Sequence, residues 1–520
     1  MRPALSYLRN PWLLPVLSGI FIGTSYIPFP PWASLFGFVP LWLFWLRQTR
    51  LKPVLLGGLL TAFVFTLIGF NWVALTLHQF AHLDWLWAIV GLMLYALIAN
   101  LYVPVAGLFW FLGRRFLRGS ERWSLCLMAI ITTLCEANSY TVFDWNFGYS
   151  WYGADFPIYQ WAEMVGFSGL SALTVLTNLP LTMAWQQRRQ PSGRMIVGGI
   201  LAVFMLLNGG GLWLKSRLPK PDAELNALLV QASISNKEKI SAELAKNNRD
   251  TIYKRYTGLT AAALAAHQGT KIDFVIWPET AYPHLLGEWF KDSEQSQVLF
   301  EFVKGQQVPL LTGAYSVDPA SKLITNSLFV LDENGVMVPP HYSKSILLAF
   351  GEFVPGESYF PQIRKWLPAT GHFARGAGPE QLLTLHGFKM GAQICYESLF
   401  PAFSRELAQL GTQFIVNVTN DSWYGTWQEP YQHMYMTLAR GVEFRRPVLR
   451  VTNTGISTVG LASGEILKQS PLEQSWAGVY RVPYRSQPSA TFYQIYFWLL
   501  PCLLWTTLLA LLLLGIRRKS

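Results

Sequence analysis

Eight long apolar stretches constrain this chain of 520 residues more than any other feature. Hydrophobic residues make up 51% of the sequence and charged residues only 14%, which is too apolar for an ordinary soluble protein. A helix can cross a bilayer because it satisfies its own backbone polar groups. It needs about 20 apolar residues to span the hydrocarbon core. The sequence therefore predicts an α-helical membrane bundle with eight transmembrane helices, near residues 12–28, 32–46, 54–77, 85–112, 123–143, 158–185, 196–214 and 491–516.

Positive charge in the short connections predicts how these helices are oriented, since Lys and Arg are retained on the cytoplasmic side. Fifteen such residues lie in alternate connections and at the two termini, whereas the opposing loops near 29–31, 78–84 and 144–157 contain none. Both termini are therefore predicted to be cytoplasmic, and the segment between the seventh and eighth helices to face outward. The fifteen residues are Arg2, Arg9, Arg47, Arg50, Lys52, Arg114, Arg115, Arg118, Arg122, Arg188, Arg189, Arg194, Arg517, Arg518 and Lys519.

The charge of the outward segment argues against a nucleic-acid partner. The formal net charge is +11, but residues 215–490 contain 26 basic and 24 acidic residues. A nearly neutral segment lacks the basic stripe that binds phosphate backbones. Nothing in the sequence suggests an oligomer either, so we expect a monomer that contacts the lipid bilayer.

The outward segment has the pattern of a separate α/β domain. Short β-type runs alternate with helical patterns over residues 226–486, which predicts layered sheets and helices. Asp332-Glu333-Asn334-Gly335 between two apolar runs predicts a β-hairpin. We therefore divide the chain into a seven-helix membrane bundle (1–214), a linker (215–225), the α/β domain (226–486) and an eighth transmembrane helix (491–516).

Cys395 is the one cysteine of the outward segment, and the other three lie in apolar stretches. A free cysteine is often a small buried hydrophobe. It is also a residue type that forms covalent acyl intermediates. The residue alone leaves both interpretations open, so the neighbouring motifs decide between them.

Three motifs of this domain stand at predicted strand ends or in loops, where a scaffold holds reactive groups, although each alone is a weak signal. They are Trp277-Pro278-Glu279-Thr280, then Tyr342-Ser343-Lys344 with Phe350-Gly351-Glu352-Phe353-Val354-Pro355, and Ile394-Cys395-Tyr396-Glu397. Together, in the order Glu, Lys, Glu, Cys, they resemble the nitrilase superfamily of carbon–nitrogen hydrolases. The resemblance extends to residues 417–425, 440–447 and 452–455, and covers nearly all of 226–486.

The resemblance implies an αββα sandwich and a Glu-Lys-Cys triad. Glu279 is then the general base, Lys344 the cation that stabilises the oxyanion, and Cys395 the nucleophile. These residue types suit the chemistry, because a free thiol has a pKa of about 8.5 and needs a base or a cation to act at neutral pH.

Three further residues are expected to support the triad. Glu352 holds and charge-balances Lys344, and the backbone N–H of Tyr396 donates to the oxyanion. Glu397 has two interpretations: it tunes the site, or it only pairs with a nearby arginine.

A nitrilase-like domain between a seventh and an eighth membrane helix resembles the family of bacterial apolipoprotein N-acyltransferases. Phe147-Gly148-Tyr149 and Gly166-Phe167-Ser168-Gly169-Leu170-Ser171 are similar to that family as well. The resemblance implies an enzyme of the bacterial inner membrane with a periplasmic catalytic domain and no cofactor. Its Cys395 takes an acyl chain from a phospholipid, typically phosphatidylethanolamine, and passes it to the α-amine of the diacylglyceryl-cysteine of an apolipoprotein.

Apolar side chains near the predicted site favour a lipid substrate. Residues 346–350, ending in Phe350, lie between Lys344 and Glu352, and Trp423-Tyr424 form a second aromatic tip. These side chains either line the site or pack in the domain core. One departure from the family pattern, at residues 231–236 and at Ile240, where the family commonly has Trp, leaves substrate preference open.

Other interpretations are weaker. His78 and His82 have the spacing of two ligands on one helical face, but a zinc site needs three or four, so we expect no metal. His433 is expected to be structural. Two alternative functions are a membrane-tethered amidase that uses water as its second nucleophile, and a scaffold without catalysis.

Overall fold

The computed structural model describes residues 10–79, 81–117, 120–139, 143–236, 238–239, 241, 247–367 and 370–517. The chain divides into two compact units, Met1–Arg217 with Ile495–Ser520, and Leu218–Gln494. Six of the residues discussed above lie outside the described set, namely Arg2, Arg9, Arg118, Ile240, Arg518 and Lys519.

The first unit is helical. Within the described residues, four helical segments are long and apolar enough to cross a bilayer: Leu51–Gly69, Trp85–Leu117, Pro157–Gln186 and Pro191–Ser216. Leu13–Gly23 and Leu499–Gly515 are apolar but shorter, so the count of eight transmembrane helices is not confirmed. The unit contains the α-helices Leu13–Gly23, Val39–Leu46, Leu51–Gly69, Trp72–Gln79, Trp85–Ile98, Tyr102–Gly113, Glu121–Ala137, Tyr149–Gly153, Ala162–Gln186, Pro191–Ser216 and Leu499–Arg517, and the 3₁₀ helices Arg114–Leu117 and Pro157–Trp161.

Backbone breaks explain why several predicted stretches are not single long helices. The first helix ends at Gly23, and the segment after it contains Pro28, Pro30 and Pro31, which cannot donate helical hydrogen bonds. Gly166 has a φ of 69° within Ala162–Gln186 and interrupts the helical geometry there. Hydropathy registers the apolar length of such a segment but not its breaks.

The second unit contains two β-sheets. The order of the first is β11-β1-β2-β3-β4-β5, and that of the second is β10-β9-β8-β7-β6. The strands are β1 Ala223–Gln231, β2 Phe274–Ile276, β3 Leu310–Val317, β4 Ile324–Leu331, β5 Met337–Ser343, β6 Leu383–Leu385, β7 Phe388–Ile394, β8 Phe414–Thr419, β9 Val448–Thr452, β10 Thr458–Gly460 and β11 Trp476–Tyr484. The helices are Asn247–Ala266, Glu294–Gln306, Ile363–Trp366, the 3₁₀ turn Cys395–Leu399, Pro401–Gln409, Glu429–Phe444 and Phe492–Tyr496, which extends past Gln494.

Helices cover one face of the first sheet. Alternate strand residues point to opposite faces, and Leu228 and Val230 of β1 pack in one buried cluster with residues of Asn247–Ala266 and Glu294–Gln306. Their neighbours Ala227 and Leu229 are fully buried as well. Burial on both faces explains why the central strands are continuous apolar runs.

The second sheet lies against the other face of the first. Phe274 of β2 contacts Phe388 of β7, with ring centroids 5.0 Å apart. Helices Pro401–Gln409 and Glu429–Phe444 pack on β7, β9 and β10. The order helix, sheet, sheet, helix confirms the predicted α/β class of this unit.

The directions of the strands bring the reactive groups to one edge. Strands β1, β2 and β3 are parallel, as are β7, β8 and β9. Strand β5 has the same direction as β3, because two antiparallel pairings separate them. The connection from β4 to β5 is the predicted hairpin at residues 332–335, where Gly335 has a φ of 76°. Residues that follow β2, β5 and β7 are therefore positioned to meet.

Candidate active site

Glu279 follows β2 in a loop that is held from both sides. Trp277 is fully buried, and its Nε1 donates to Thr260 Oγ1 at 2.9 Å. Gly313 of β3 passes directly beneath Pro278, Glu279 and Thr280, where a Cβ atom would lie 2.6–2.8 Å from their backbone atoms. The glycine thus permits the close approach that fixes Glu279, which is 6% exposed.

Lys344 follows β5 and places a buried ammonium between two carboxylates. Its Nζ lies 2.9 Å from Glu352 Oε2 and 3.4 Å from Glu279 Oε1, and the residue is 2% exposed. Burial by itself lowers the pKa of Lys344, but the charges of Glu352 and Glu279 outweigh it and raise that pKa well above its ordinary value. The side chain therefore carries a positive charge at neutral pH.

Cys395 starts the 3₁₀ turn that follows β7. Its φ is 53°, in the left-handed region that a side chain rarely adopts, and such strain is typical of functional positions. Burial, and next the charge of Glu279, raise the pKa of the Cys395 thiol, although Lys344 and a hydrogen bond with Thr419 oppose this. The thiol is therefore neutral at rest and needs a base to become a nucleophile.

Asn326 of β4 joins the groups around Lys344. Its Nδ2 donates to Glu279 Oε1 at 2.6 Å and to Glu352 Oε1 at 3.2 Å. Its backbone carbonyl accepts from the Lys344 N–H at 2.8 Å. Sequence reasoning missed this residue, although an Asn within an apolar strand is a signal, because a buried amide requires partners.

Glu397 ties the Lys344 segment to the Cys395 turn. Its Oε1 accepts from the Tyr342 hydroxyl at 2.6 Å and from the backbone N–H groups of Ser345 and Ile346 at 2.7 and 3.1 Å. Its Oε2 accepts from the Ile394 N–H at 2.8 Å. In the described part of the chain these donors are a phenol, a hydroxyl and backbone amides rather than the arginine that one interpretation required.

Comparison with known proteins shows which family this sequence belongs to. The sequence model described as Carbon-nitrogen hydrolase matches residues 221–476, and that described as Apolipoprotein N-acyltransferase N-terminal domain matches 18–180. The Apolipoprotein N-acyltransferase of Bdellovibrio bacteriovorus is 40% identical over 490 residues, which cover 92% of this chain and 89% of that relative. The chain belongs to the apolipoprotein N-acyltransferase family.

A second family member, from Geobacter metallireducens, is 30% identical and aligns with 90% of this chain and 88% of its own length. Among solved structures, Saccharomyces cerevisiae Nit3 of the nitrilase superfamily aligns with 53% of this chain and 95% of its own, at 17% identity and a TM-score of 0.39. The family models and the first relative confirm the predicted family, and the Carbon-nitrogen hydrolase match supports the nitrilase-like domain.

The aromatic side chains predicted at the rim of this N-acyltransferase-family site have different environments. Phe350 is 56% exposed in the segment between Lys344 and Glu352. Tyr424 is buried, and burial, followed by the charge of Cys395, raises the pKa of its hydroxyl well above its ordinary value. Trp423 is half-buried. Tyr396 is buried, with its ring edge-to-face on Phe400 at 5.0 Å.

A second buried charged cluster adjoins the turn that begins at Cys395. Asp421 Oδ2 accepts from Arg450 Nη2 at 2.6 Å, and Asp421 Oδ1 lies 3.0 Å from His433 Nδ1. Arg450 Nη1 also donates to Asn417, whose Nδ2 donates to the Cys395 carbonyl at 3.2 Å. The cluster thus supports the Cys395 turn through Asn417.

This cluster has the donor types of a metal site but already contains its own cation. Single ligand atoms of Asp421, Glu429 and His433 lie within 4.8 Å of one another. Burial, and next the charge of Asp421, raise the pKa of Glu429 well above its ordinary value, so that side chain is a neutral acid. Arg450 supplies the positive charge, and we assign no metal here.

The other metal candidate lacks the predicted geometry. The helix that contains His78 ends at Gln79, and His82 lies beyond it with a φ of 52°. His78 Nδ1 lies 2.7 Å from the Leu83 carbonyl oxygen, and its ring stacks on Trp85. The two imidazoles do not share a helical face.

Proposed function

We propose that this chain is a membrane-embedded N-acyltransferase that moves an acyl chain from a phospholipid to an apolipoprotein through a thioester on Cys395. The observation that carries the proposal is the buried Lys344 ammonium, held between Glu279 and Glu352 at the edge where Cys395 begins its turn. Family membership supports the acceptor, which is the α-amine of a diacylglyceryl-cysteine.

In the first half of the reaction, Glu279 takes the thiol proton as the sulfur of Cys395 attacks the ester carbonyl carbon of the phospholipid. The oxyanion receives charge stabilisation from Lys344 and from the backbone N–H of Tyr396. The C–O bond then breaks, and the departing alkoxide takes the proton from Glu279 to give a lysophospholipid. The acyl group remains as a thioester.

In the second half, the neutral α-amine attacks the thioester carbonyl. Glu279 takes a proton from the amine, the C–S bond breaks, and the departing thiolate of Cys395 receives that proton from Glu279 as the amide product leaves. Glu352 keeps Lys344 aimed at the reacting oxygen in both halves. We assign no cofactor, because both halves transfer only protons and an acyl group.

The membrane arrangement belongs to the same proposal. We propose eight transmembrane helices, cytoplasmic termini, and residues 226–486 on the periplasmic side of the inner membrane of a bacterium, with 1–214 and 491–516 in the bilayer and 215–225 as linker. Four sufficiently long apolar helices and the distribution of Lys and Arg support this. Phosphatidylethanolamine is the proposed donor, Phe350, Trp423 and Tyr424 the proposed acyl-chain contacts, and a monomer the proposed state.

The experiment is the mass of the intact, purified full-length protein after incubation with phosphatidylethanolamine vesicles. We expect a mass increase of one acyl group, its loss on adding a diacylated lipopeptide, and no increase for Cys395→Ala. Ammonia release from small amides without any adduct would instead indicate the tethered amidase. Neither adduct nor ammonia from a folded protein would leave the scaffold interpretation.

A further inference from the structure

We propose that Asn326 is a positioning residue that holds the carboxylate of Glu279 ready to accept the proton of Cys395. The inference rests on the proposed function and adds a residue to it. It starts from geometry: the Asn326 side chain touches both carboxylates beside Lys344, at 2.6 Å (Glu279) and 3.2 Å (Glu352).

The orientation of the Asn326 amide follows from its neighbours. An amide NH₂ has two hydrogens, and a carboxylate accepts but does not donate. The nitrogen therefore faces the carboxylates, and each hydrogen has its own oxygen. Asn326 Oδ1 is buried without a hydrogen-bond partner among the described residues. Burying the Asn326 amide oxygen without a partner costs free energy. The two hydrogen bonds from the Asn326 nitrogen to the carboxylates outweigh that cost.

Glu279 depends on Asn326 more than Glu352 does. Lys344 Nζ is closer to Glu352 Oε2, at 2.9 Å, than to Glu279 Oε1, at 3.4 Å. Glu352 also accepts from the Leu348 N–H at 2.8 Å. The shortest contact of Glu279 is therefore the donation from Asn326. A buried carboxylate that loses such a donor holds its proton to a higher pH.

Other charged and titratable groups around Glu279 set the background on which Asn326 acts. Lys239 Nζ approaches the Glu279 carbonyl oxygen at 3.5 Å and Thr280 Oγ1 at 3.0 Å. The groups facing Glu279 are Lys344, Glu352, Cys395, Tyr424 and Lys239. Unlike these groups Asn326 does not titrate, so its donation is constant across the working pH range.

The test is the rate of thioester formation on the full-length protein with phosphatidylethanolamine vesicles, measured from about pH 5 to pH 9 (a range around the usual pKa values of carboxyl and thiol groups). For Asn326→Leu we expect a rate about 10- to 100-fold lower near neutral pH, as for losing a hydrogen bond to a charged group. The acid side of the profile should move to higher pH, and raising the pH should restore part of the rate.

The matched control is Ser327→Ala. Ser327 is buried on the same strand and bonds to Thr325 and Ser343, away from the carboxylates. The Ser327→Ala variant loses buried hydrogen bonds that do not involve Glu279. The pH profile of its thioester formation should therefore keep the wild-type shape. Asn326→Asp is a second variant of nearly identical shape. Its added carboxyl group should also move the acid side of the pH profile to higher pH. This variant provides the test if Asn326→Leu does not fold.

Two outcomes would overturn the inference: a variant rate equal to that of the wild type, or a rate lowered equally at every pH. The second would mean that Asn326 only maintains the structure. If the wild-type protein itself forms no thioester, the proposed function fails, and this result is distinct because it does not involve Asn326.

Discussion

Two buried clusters flank Cys395, and each combines a basic side chain with carboxylates. In one, Lys344 lies 2.9 Å from Glu352 and 3.4 Å from Glu279. In the other, the fork of Arg450 is committed to Asp421 at 2.6 Å and to Asn417 at 2.9 Å. An ammonium is a compact point charge, whereas a guanidinium is rigid and planar. In the proposed mechanism the lysine cluster therefore supplies the cation for the oxyanion, whereas the arginine cluster supports the Cys395 turn.

The largest expected effect comes from removing the Lys344 ammonium. Lys344→Met should lower thioester formation on the order of 1000-fold, because the oxyanion loses its charged partner. Lys344→Arg should also be strongly impaired, since a planar fork does not fit between Glu279 and Glu352. The measurement is acyl mass gain on Cys395. Near-normal labelling of Lys344→Met would show that the two clusters do not differ as proposed.

Removing the fixed cation should act on stability. Arg450→Leu leaves Asp421 as a buried, uncompensated charge, and we expect a loss of about 3–5 kcal/mol in the free energy of unfolding. The matched control is Arg481→Leu, whose pair with Glu224 is exposed and should contribute less than about 1 kcal/mol. Equal unfolding midpoints for the two variants would contradict the supporting role.

Glu397 connects the lysine segment to the nucleophile turn, so its loss should affect both. Glu397→Gln places an NH₂ group against donors, and we expect a destabilisation of about 1–3 kcal/mol together with slower acylation. Glu333→Gln is the control, because Glu333 pairs with His386 at the surface. A fully stable and active Glu397→Gln enzyme would remove this connection from the mechanism.

The arginine cluster should also make the free energy of unfolding depend on pH in the acid range. Although burial opposes it, Arg450, and next His433, lower the pKa of Asp421 to about 2. A carboxyl whose folded pKa is depressed stabilises the fold above its unfolded value of about 3.9 and loses that contribution as the pH falls towards 2. The difference in stability between wild type and Asp421→Asn should therefore shrink by about 2 kcal/mol from pH 5 to pH 2. A difference independent of pH would mean that Asp421 is not the titrating group.

The smallest effect is expected at the exposed rim. Phe350→Ser should leave stability within about 0.5 kcal/mol, because Phe350 is exposed. It should raise the KM for phospholipid a few-fold with little change in kcat, as expected for lost binding that is equal in ground and transition states. Val336→Ser, an exposed apolar residue in the distant hairpin, is the control. Equal KM values would remove Phe350 from the acyl-chain contacts.

Much of the α/β unit was predictable from local pattern. The alternation of strands and helices over residues 226–486 and the hairpin at 332–335 were expected from local pattern and turn residues, and the structure contains both. The membrane helices were less predictable from the sequence. Apolar length indicated eight candidates, but breaks at positions such as Phe70 and Gly166 depend on backbone geometry that hydropathy does not register.

The sequence by itself determined the family, because the order Glu279, Lys344, Glu352, Cys395 and the apolar stretches around the domain are local features that need no coordinates. Only the tertiary structure revealed that Asn326, 47 positions from Glu279, lies between the two carboxylates, and that Arg450 supports the turn of Cys395 through Asn417. Such contacts arise when separate strands end at one edge. Their energies depend on burial and on distances of about 3 Å, which no spacing along the chain encodes.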